Sequence, residues 1–384
     1  MTARRRASLP QAVSGGDLLA GLRPALSSWI GAAHWPRWLD RASAVPRSNR
    51  MFLELHPGTH PARCDIVTSL SISDGSLAAW LQAGFERRSP VWAATIALLQ
   101  DWRRELTAGQ GALRDQCMMM WLEFDLAPHE AALGDPALFI ALMPGADIRA
   151  LPSSLAGYPA LADQVSRFAH LLRHQAPWQA ADAMALGHIG YMASRLTASS
   201  ASSLRSCWRC DSEDQVLQWL TLLGIARDDG VVRRELARLR PLFRRANSLM
   251  LDCDSAEQFL NTFAVEVNVF QRQLAPAVAG CDAVLQAIAD LGFLTPDQTR
   301  QLLRMNGCYL SDSGQTVFCL LHHIKFRFVD SRVVEAKLYW LVRVISPQPD
   351  AHDTRVVDCA HEATLPWHGS LMTDRVPSDI PLSR

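Results

Sequence analysis

Segments in which hydrophobic and polar residues alternate occur in pairs along this chain. Alternation with a period of two is typical of β-strands that have one buried face. The members of each pair are separated by short links, the first of them the turn-forming HPGTHP, and such links favour antiparallel hairpins. The five predicted pairs are Met51–Pro57 with Arg63–Ser73, Cys117–Ala127 with Ala137–Gly145, Met184–Leu196 with Ser203–Asp211, Ser248–Asp254 with Thr262–Phe270, and Val317–Phe328 with Val333–Val344.

Helical periodicity fills the stretches between these pairs. Segments such as EDQVLQWLTLLGI and VVRRELARLRPLFRRA repeat hydrophobic residues every three or four positions, as amphipathic helices do. Hairpins separated by helices can close into a barrel with the helices outside. We therefore predict an α+β fold, a ten-stranded antiparallel β-barrel of five β-hairpins with helix pairs between them on the outside. An open antiparallel sheet and two α+β domains are the alternatives.

The predicted barrel domain covers residues 47–346. Residues 1–46 precede it as an irregular or helical N-terminal extension. Residues 347–384 are rich in Pro, Asp and His, and we expect this tail to be loose. The prediction is thus one repeat-built barrel domain with an extension at either end.

Each predicted strand has one hydrophobic and one polar face. In the last hairpin the hydrophobic face carries Leu320, Ile324, Phe326 and Phe328, and the opposite face carries His323, Lys325 and Arg327. Because neighbouring strand residues point to opposite sides, at most one of His322 and His323 should reach the interior. The polar faces either contact bulk water, as in one-sided antiparallel sheets, or line the interior of a barrel wide enough for a ligand.

The charge balance and the cysteines narrow the function classes. The chain has 38 basic and 38 acidic residues, which argues against binding to nucleic acid or to a membrane through bulk charge. No hydrophobic run approaches the roughly 18 residues of a membrane span, and the stretch after Arg6 is a poor secretory signal.

Nine scattered cysteines indicate reduced thiols and a cytoplasmic protein. Cys207 and Cys210 form a CxxC on a predicted strand, where they point to opposite faces, so no metal site is predicted.

The polar strand faces carry charges of both signs. The basic residues are Arg63, Arg205, Arg209, Lys325, Arg327 and Lys337, and the acidic residues are Glu54, Asp65, Glu123, Asp125, Glu266 and Glu335. A basic subset that converges on one point would suit a phosphate or diphosphate, which accepts charge-assisted hydrogen bonds from several directions. Lys325 and Lys337 are the only lysines of the chain and share the last hairpin. The simpler interpretation is two solvated strand lysines.

Hairpins separated by helices, together with three local segments, resemble the ABBA prenyltransferase fold, or PT barrel, and within it the dimethylallyltryptophan-synthase branch. The segment MFLELHPGTHPARCDIV places Glu54 and Arg63 where that branch has a glutamate on the first strand and an arginine on the second. The segment WLEFDLAPHEAALGDPALFIALMPG resembles the next hairpin of the branch. In AKLYW, Lys337 and Tyr339 match a Lys-x-Tyr pair whose side chains face inward.

The resemblance implies a prenyltransferase that moves an isoprenoid from an allyl diphosphate to an aromatic or peptide acceptor in secondary metabolism. Glu54 would be the catalytic carboxylate, which orients the acceptor and helps to remove a proton. The diphosphate would be bound by Arg63, Arg205, Lys325, Arg327, Lys337 and Tyr339. Trp121 and Tyr191 would shield the allyl cation through their ring faces. The implied protein needs no cofactor, with Mg²⁺ as an optional ion, and is a monomer or a homodimer.

The sequence also departs from the family pattern. Residues 139–142 are Phe-Ile-Ala-Leu where a Lys-x-Tyr pair is usual, and the chain has only four tyrosines. The alternative function is therefore a PT-barrel-like protein without prenyl-transfer activity, which binds or modifies a peptide or a small metabolite through Glu123, Asp125 or Glu266. A partner-binding protein, with Trp35 and Trp38 at a surface contact, is a third hypothesis.

Overall fold

A computed structural model describes most of the chain. The described residues are 14–45, 47–48, 50–58, 63–70, 77, 81, 90–126, 133–143, 146–175, 186–191, 204–225, 229–256, 258–269, 279–311 and 313–345. The tail that we predicted to be loose lies outside them.

Within these described ranges, eleven antiparallel strands make one sheet. The strands are β1 (Arg50–His56), β2 (Arg63–Leu70), β3 (Cys117–Phe124), β4 (Ala137–Leu142), β5 (Leu186–Tyr191), β6 (Leu204–Cys210), β7 (Ser248–Ser255), β8 (Phe259–Asn268), β9 (Gly307–Leu310), β10 (Thr316–Val329) and β11 (Arg332–Ile345). Their order is β11-β1-β2-β3-β4-β5-β6-β7-β8-β10-β9. Ten of them correspond to the ten predicted strands, and β9 is an addition.

The sheet closes on itself because β10 also pairs with β11. Strand β11 in turn pairs with β1, with Leu53 opposite Trp340, so ten strands follow one another around a ring. The short strand β9 pairs with residues 316–319 of β10, beyond the part of β10 that pairs with β8. The predicted ten-stranded antiparallel barrel is therefore confirmed.

Helices separate the hairpins, as predicted, and three more helices precede β1. They are α1 (Gly15–Ala20), α2 (Arg23–Ile30) and α3 (Trp35–Ala44) before β1, α4 (Pro90–Ala108) and α5 (Ala112–Gln116) before β3, α6 (Leu151–Ser154) and α7 (Pro159–Gln175) before β5, α8 (Glu213–Leu222) and α9 (Asp229–Phe243) before β7, and α10 (Ala279–Asp290) and α11 (Pro296–Leu303) before β9. The start of α11 is a capping box, in which the Thr295 and Gln298 side chains each bind the other residue's backbone N–H. No helix in these described ranges is long and apolar enough to cross a membrane.

The main hydrophobic core lies between the outer face of the barrel and the helices. Every second strand residue, such as Leu53, Ile66 and Leu122, joins helix residues such as Leu98 and Val165 in one buried cluster. Since a strand exposes alternate residues to opposite faces, the helix-facing set leaves the remaining side chains to the barrel interior.

The three N-terminal helices belong to this core. Leu18, Leu22 and Leu26 are buried in the same cluster as the outer strand residues. The Trp38 indole Nε1 donates a hydrogen bond to the Cys64 carbonyl oxygen at 2.9 Å, which fixes α3 on β2. Trp35 and Trp38 stack on each other and are buried, so these two rings are part of the packing between helices and barrel.

A β-bulge in β10 changes which residues face inward. The pairing of β10 with β11 shifts between Leu321 and His323, so one extra residue sits on the β10 side. Ile324, Phe326 and Phe328 lie in the outer core, as predicted. Leu320 was predicted on the same face, but it packs inside the barrel with Phe52, Phe318, Tyr339 and Leu341. The prediction for Leu320 was wrong because strict alternation fails across the bulge.

Candidate functional site

Aromatic side chains surround a cavity in the middle of the barrel. Its walls, which we call the aromatic cavity, are formed by Phe52, Val67, Trp121, Glu123, Phe139, Met250, Glu266, Asn268, His322, His323, Lys325 and Tyr339. These residues come from eight strands, because the inward-facing positions of each strand contribute their side chains to the barrel interior. The cavity therefore combines an aromatic lining with a few ionic groups, which is the composition of a ligand site.

Two adjacent histidines line this cavity. The bulge in β10 turns both His322 and His323 inward, so the prediction that at most one would reach the interior was wrong. Their Nδ1 atoms are 2.8 Å apart, which makes one ring the donor and the other the acceptor. His323 stacks on Tyr339 with ring centres 4.1 Å apart, and His322 meets Phe52 edge-on at 5.0 Å.

Both imidazoles are neutral in this environment. Burial lowers the pKa of His322 far below its usual value, and the neighbouring His323 and Arg50 act in the same direction. Burial and the Lys325 charge lower the pKa of His323 to about 3. The pair therefore adds hydrogen-bonding groups to the cavity but no positive charge.

A second pocket adjoins the aromatic cavity and contains most of the predicted cations. This polar pocket is lined by Arg205, Asp252, Asp254, Thr262, Phe263, Ala264, Lys325, Arg327 and Lys337. Lys325 lines both spaces. Four of the five basic residues predicted to bind diphosphate thus meet in one place. The fifth, Arg63, lies elsewhere and pairs with Asp65 at 2.6 Å and with Asp125 at 2.7 Å.

Carboxylates contact the cations of the polar pocket. The Lys325 ammonium pairs with Asp252 and, at 3.0 Å, with Glu266. Although burial lowers the pKa of Lys325, these two carboxylates outweigh it and raise the pKa above its usual value. The Arg205 guanidinium donates to both carboxylate oxygens of Asp254, at 2.8 and 2.9 Å. Such two-point pairs fix both partners, so a diphosphate would have to share or replace these carboxylates.

Glu54 lies next to the cavity but is not among the described residues that line it. The side chain is completely buried, and its Oε1 accepts a hydrogen bond from Lys337 Nζ at 2.5 Å. Burial raises the pKa of Tyr339, and the Glu54 charge and a hydrogen bond to Glu54 raise it further. The Tyr339 hydroxyl therefore remains protonated and connects the cavity wall to Glu54.

His56 is the centre of an ion network that includes Glu54. Its Nε2 lies 3.0 Å from Asp65 Oδ2 and 3.1 Å from Glu54 Oε1, and its Nδ1 lies 3.0 Å from Glu335 Oε1. Burial lowers the pKa of His56, but hydrogen bonds to these three carboxylates outweigh burial and raise it to about 10. His56 is therefore a buried imidazolium at neutral pH.

The same cluster has the composition of a metal site. One ligand atom each of Glu54, His56 and Asp65 lies within 4.8 Å of the others. However, Lys337 donates to Glu54 Oε1 and Arg63 donates to Asp65 Oδ2, the same oxygens that face His56. A protonated imidazole fits this set of neighbours better than a metal ion does, because cations already occupy both oxygens.

The remaining predicted site residues have mixed positions. Trp121 and Tyr339 line the aromatic cavity. Arg327 is half exposed and lies 3.6 Å from Glu335. Tyr191 belongs to β5, but its side chain lies outside the described residues.

Sequence reasoning missed residues of the polar pocket, of the aromatic cavity and of the ion network around His56. His56, Asp252 and Asp254 were not singled out, although each lies two residues from another inward position of its strand. Strand alternation alone would have found them, because Glu54 and His56 share one face of β1. Phe139 was noted as a departure from the family pattern, yet it lines the aromatic cavity.

Comparisons with known proteins support the fold. No family model matches the sequence, and no curated protein matches it significantly. Among solved structures, NotF in complex with brevianamide F and DMSPP has a TM-score of 0.50 and 12% identity over 86% of this chain and 95% of that chain. AnaPT from Neosartorya fischeri has a TM-score of 0.49 and 11% identity over 88% and 95%. The 5-dimethylallyltryptophan synthase from Streptomyces coelicolor has a TM-score of 0.48 and 13% identity over 86% and 97%.

These structures are aromatic prenyltransferases of the ABBA type. The chain shares an α+β PT-barrel fold with NotF, at a TM-score of 0.50, and the closed ten-stranded ring agrees with it, which confirms the resemblance predicted from the sequence at the level of the fold. Identity this low does not extend the likeness to the chemistry of the site, so the function has to be argued from the residues themselves.

Proposed function

We propose that the protein is a cytoplasmic aromatic prenyltransferase of secondary metabolism. It would transfer an isoprenoid from an allyl diphosphate to an aromatic or peptide acceptor. The observation that supports this proposal is the junction of the two pockets at Lys325. On one side lies a pocket with four cationic side chains, and on the other lies a cavity with aromatic walls. An allyl diphosphate needs both, a cationic site for its head and an aromatic wall for its tail.

The polar pocket would hold the diphosphate. Lysine and arginine donors stabilise the negative charge that grows on the leaving group as its bond to carbon breaks. Lys325 stands at the junction, where the bridging oxygen of a diphosphate would lie if the allyl group entered the aromatic cavity. Lys337, Arg205 and Arg327 would contact the outer phosphate oxygens.

The aromatic cavity would hold the allyl group and the acceptor. Ionisation breaks the C–O bond, and the diphosphate leaves with the electron pair. A carbon atom of the aromatic acceptor then forms a bond to the allyl cation, and the acceptor loses a proton to a carboxylate. Trp121 and Tyr339 would stabilise the cation with their ring faces, and the walls of the barrel would limit its contact with water. Glu54 would receive the proton through the Tyr339 hydroxyl, with which it is hydrogen-bonded.

The direct test is incubation with dimethylallyl or geranyl diphosphate and a series of indoles and phenols, with measurement of diphosphate release and of binding by calorimetry. We expect Arg205→Gln to weaken diphosphate binding by about 10- to 100-fold, the effect of losing a charged hydrogen bond. Arg149→Gln is the matched control, because Arg149 is an exposed arginine paired with Asp147 outside the barrel. The absence of both binding and release with every allyl diphosphate would refute the proposal.

One observation favours the second candidate, a PT barrel that binds a small molecule or peptide without diphosphate chemistry. Carboxylates pair with the cations of the polar pocket, and Asp252 and Asp254 line it directly. A diphosphate would be repelled by these two groups. Specific binding of a non-prenyl ligand, combined with no measurable affinity for inorganic diphosphate, would decide for this candidate.

A further inference from the structure

Each of the four cationic side chains that line the polar pocket is paired with a carboxylate. Lys325 pairs with both Asp252 and Glu266, and Arg205 donates to both carboxylate oxygens of Asp254. The two remaining pairs are Lys337 with Glu54 at 2.5 Å and Arg327 with Glu335 at 3.6 Å. A diphosphate would therefore enter a pocket whose positive charges already have partners, and it would add negative charge to this balance.

Water reaches Asp252 least among the carboxylates that pair with Lys325 and Arg205. Asp252 is 2% exposed, whereas Glu266 is 13% exposed and Asp254 is 22% exposed. The ammonium group of Lys325 is already shared between Asp252 and Glu266. A diphosphate that also took hydrogen bonds from Lys325 would weaken the compensation of Asp252, and a buried carboxylate without full compensation costs free energy.

Glu54 is also buried, but its partners differ from those of Asp252. If Lys337 turned towards a diphosphate, Glu54 would keep the His56 imidazolium, whose Nε2 lies 3.1 Å from Oε1. The second cation near Asp252 is Arg205, whose guanidinium is already bound at two points by another carboxylate. Of these two buried acids, Asp252 is therefore the one whose charge an incoming anion would leave less balanced.

Ionisable groups lie near Asp252 on four strands. They are Arg205 and Cys207 of β6, Cys253 and Asp254 of β7, Glu266 of β8, and His323 and Lys325 of β10. The two cations already carry their protons, and so do the two thiols, because burial raises their pKa values well above the usual range. Burial and the Lys325 charge lower the pKa of His323 to about 3. A proton that entered this group would therefore bind a carboxylate, and Asp252 is the most buried of the three.

We propose that diphosphate binding in the polar pocket is coupled to the uptake of one proton by the Asp252 carboxylate. The proton neutralises the acid, so Lys325 can donate to phosphate oxygens without leaving a buried negative charge behind. Because a proton is taken up, binding strengthens as the pH falls. The inference rests on the proposed function in assuming that this pocket receives a diphosphate, and it explains how a pocket lined by two aspartates can accept one.

A magnesium ion is the competing source of positive charge. Mg²⁺ requires several oxygen ligands in a nearly octahedral arrangement, and the Lys325 ammonium already lies against an oxygen of Asp252. A proton needs neither additional ligands nor space. The geometry therefore favours the proton, and the test includes the metal.

Calorimetric titration of the full chain with inorganic diphosphate, without any allyl group, measures the proton. The heats in two buffers of different ionisation enthalpy, such as Tris and PIPES at the same pH, give the number of protons taken up for each ligand bound. Wild type should take up about one proton more than Asp252→Asn, because the ionisation of the diphosphate itself is common to both proteins. At pH 7 the variant should also bind diphosphate at least about tenfold more tightly, since the repelling charge is absent. Asp147→Asn is the matched control, because Asp147 is an exposed aspartate paired with Arg149 outside the barrel.

Infrared difference spectroscopy of the wild type, with and without diphosphate, gives a second measurement that needs no variant. It should show a new band of a protonated carboxyl group, and the absence of this band would overturn the inference. Equal proton uptake by wild type and a folded Asp252→Asn variant would overturn it as well. Binding that requires Mg²⁺ and takes up no proton would assign the balancing charge to the metal, with the same consequence. Diphosphate binding without proton uptake would refute this inference alone, whereas no binding of any diphosphate would also refute the proposed function.

Discussion

The buried imidazolium of His56 makes the stability of the barrel depend on pH in a defined window. The pKa of His56 is about 10 in the folded protein and 6.5 in a model peptide. A raised pKa means that the folded state binds the proton more tightly. The resulting stabilisation is complete below pH 6.5, declines as the pH rises, and is lost above pH 10.

The size of the effect follows from the shift. Each unit of pKa difference corresponds to about 1.36 kcal/mol, so 3.5 units give an upper value of roughly 5 kcal/mol. Raising the pH from 6.5 to 8.0 should therefore lower the contribution of this proton to the unfolding free energy by about 1.5 to 2 kcal/mol. The His56→Gln variant keeps a hydrogen-bonding side chain of similar reach but cannot bind this proton. We expect it to be less stable than wild type at pH 6.5 and to approach wild type as the pH rises.

Urea denaturation at several pH values between 6.5 and 8.0 measures the effect. In the described part of the chain, burial also raises the pKa values of seven thiols, and their ionisation in the unfolded chain destabilises the protein at higher pH. They are Cys64, Cys117, Cys207, Cys210, Cys253, Cys281 and Cys319. Wild type and His56→Gln share these thiols, so the difference between the two proteins isolates the imidazole. A difference that stays constant over this range would show that folding does not raise the pKa of His56.

Two further variants test the packing and the ion pairs. Lys325→Met should lower the unfolding free energy by about 3–5 kcal/mol, because it leaves Asp252 buried without its ammonium partner. Urea denaturation should show that adding Asp252→Asn restores part of this free energy. No recovery in the double variant would contradict the pairing. Gly21→Ala should cost roughly 1–3 kcal/mol in the same assay, because the new Cβ would lie 2.6 Å from the Leu310 carbonyl oxygen. Gly157→Ala, which meets no atom within 4 Å, is its control, and an equal effect of both substitutions would refute the close contact.

The sequence predicted the barrel because its signal is repeated. Alternation in ten segments, joined in pairs by short links, identified all ten strands of the ring. It also identified the inward faces that carry Glu123, Lys325 and Lys337. Patterns of this kind depend on burial along a regular strand, so they remain visible in a single sequence.

The sequence did not predict the details that break the regular pattern or connect distant strands. No residue type in the sequence marks the bulge between Leu321 and His323. The inward or outward positions of Leu320 and His322 were therefore misassigned. The pairing of Arg205 with Asp254 and of Lys325 with Glu266 depends on which strands are neighbours. Convergence of the cations could be anticipated from alternation, whereas their neutralisation by carboxylates required the strand order and register.

The pairing of the first barrel strand with the last has a consequence for synthesis on the ribosome. Residues 50–55 acquire their partners at residues 338–343 only when nearly 300 further residues have emerged. Until then, one edge of β1 presents unpaired backbone groups that invite association with other nascent chains. Contacts this distant in sequence also slow the final step of folding. The nascent chain therefore needs its N-terminal helices, or a chaperone, to cover that edge until the C-terminal hairpin has been synthesised.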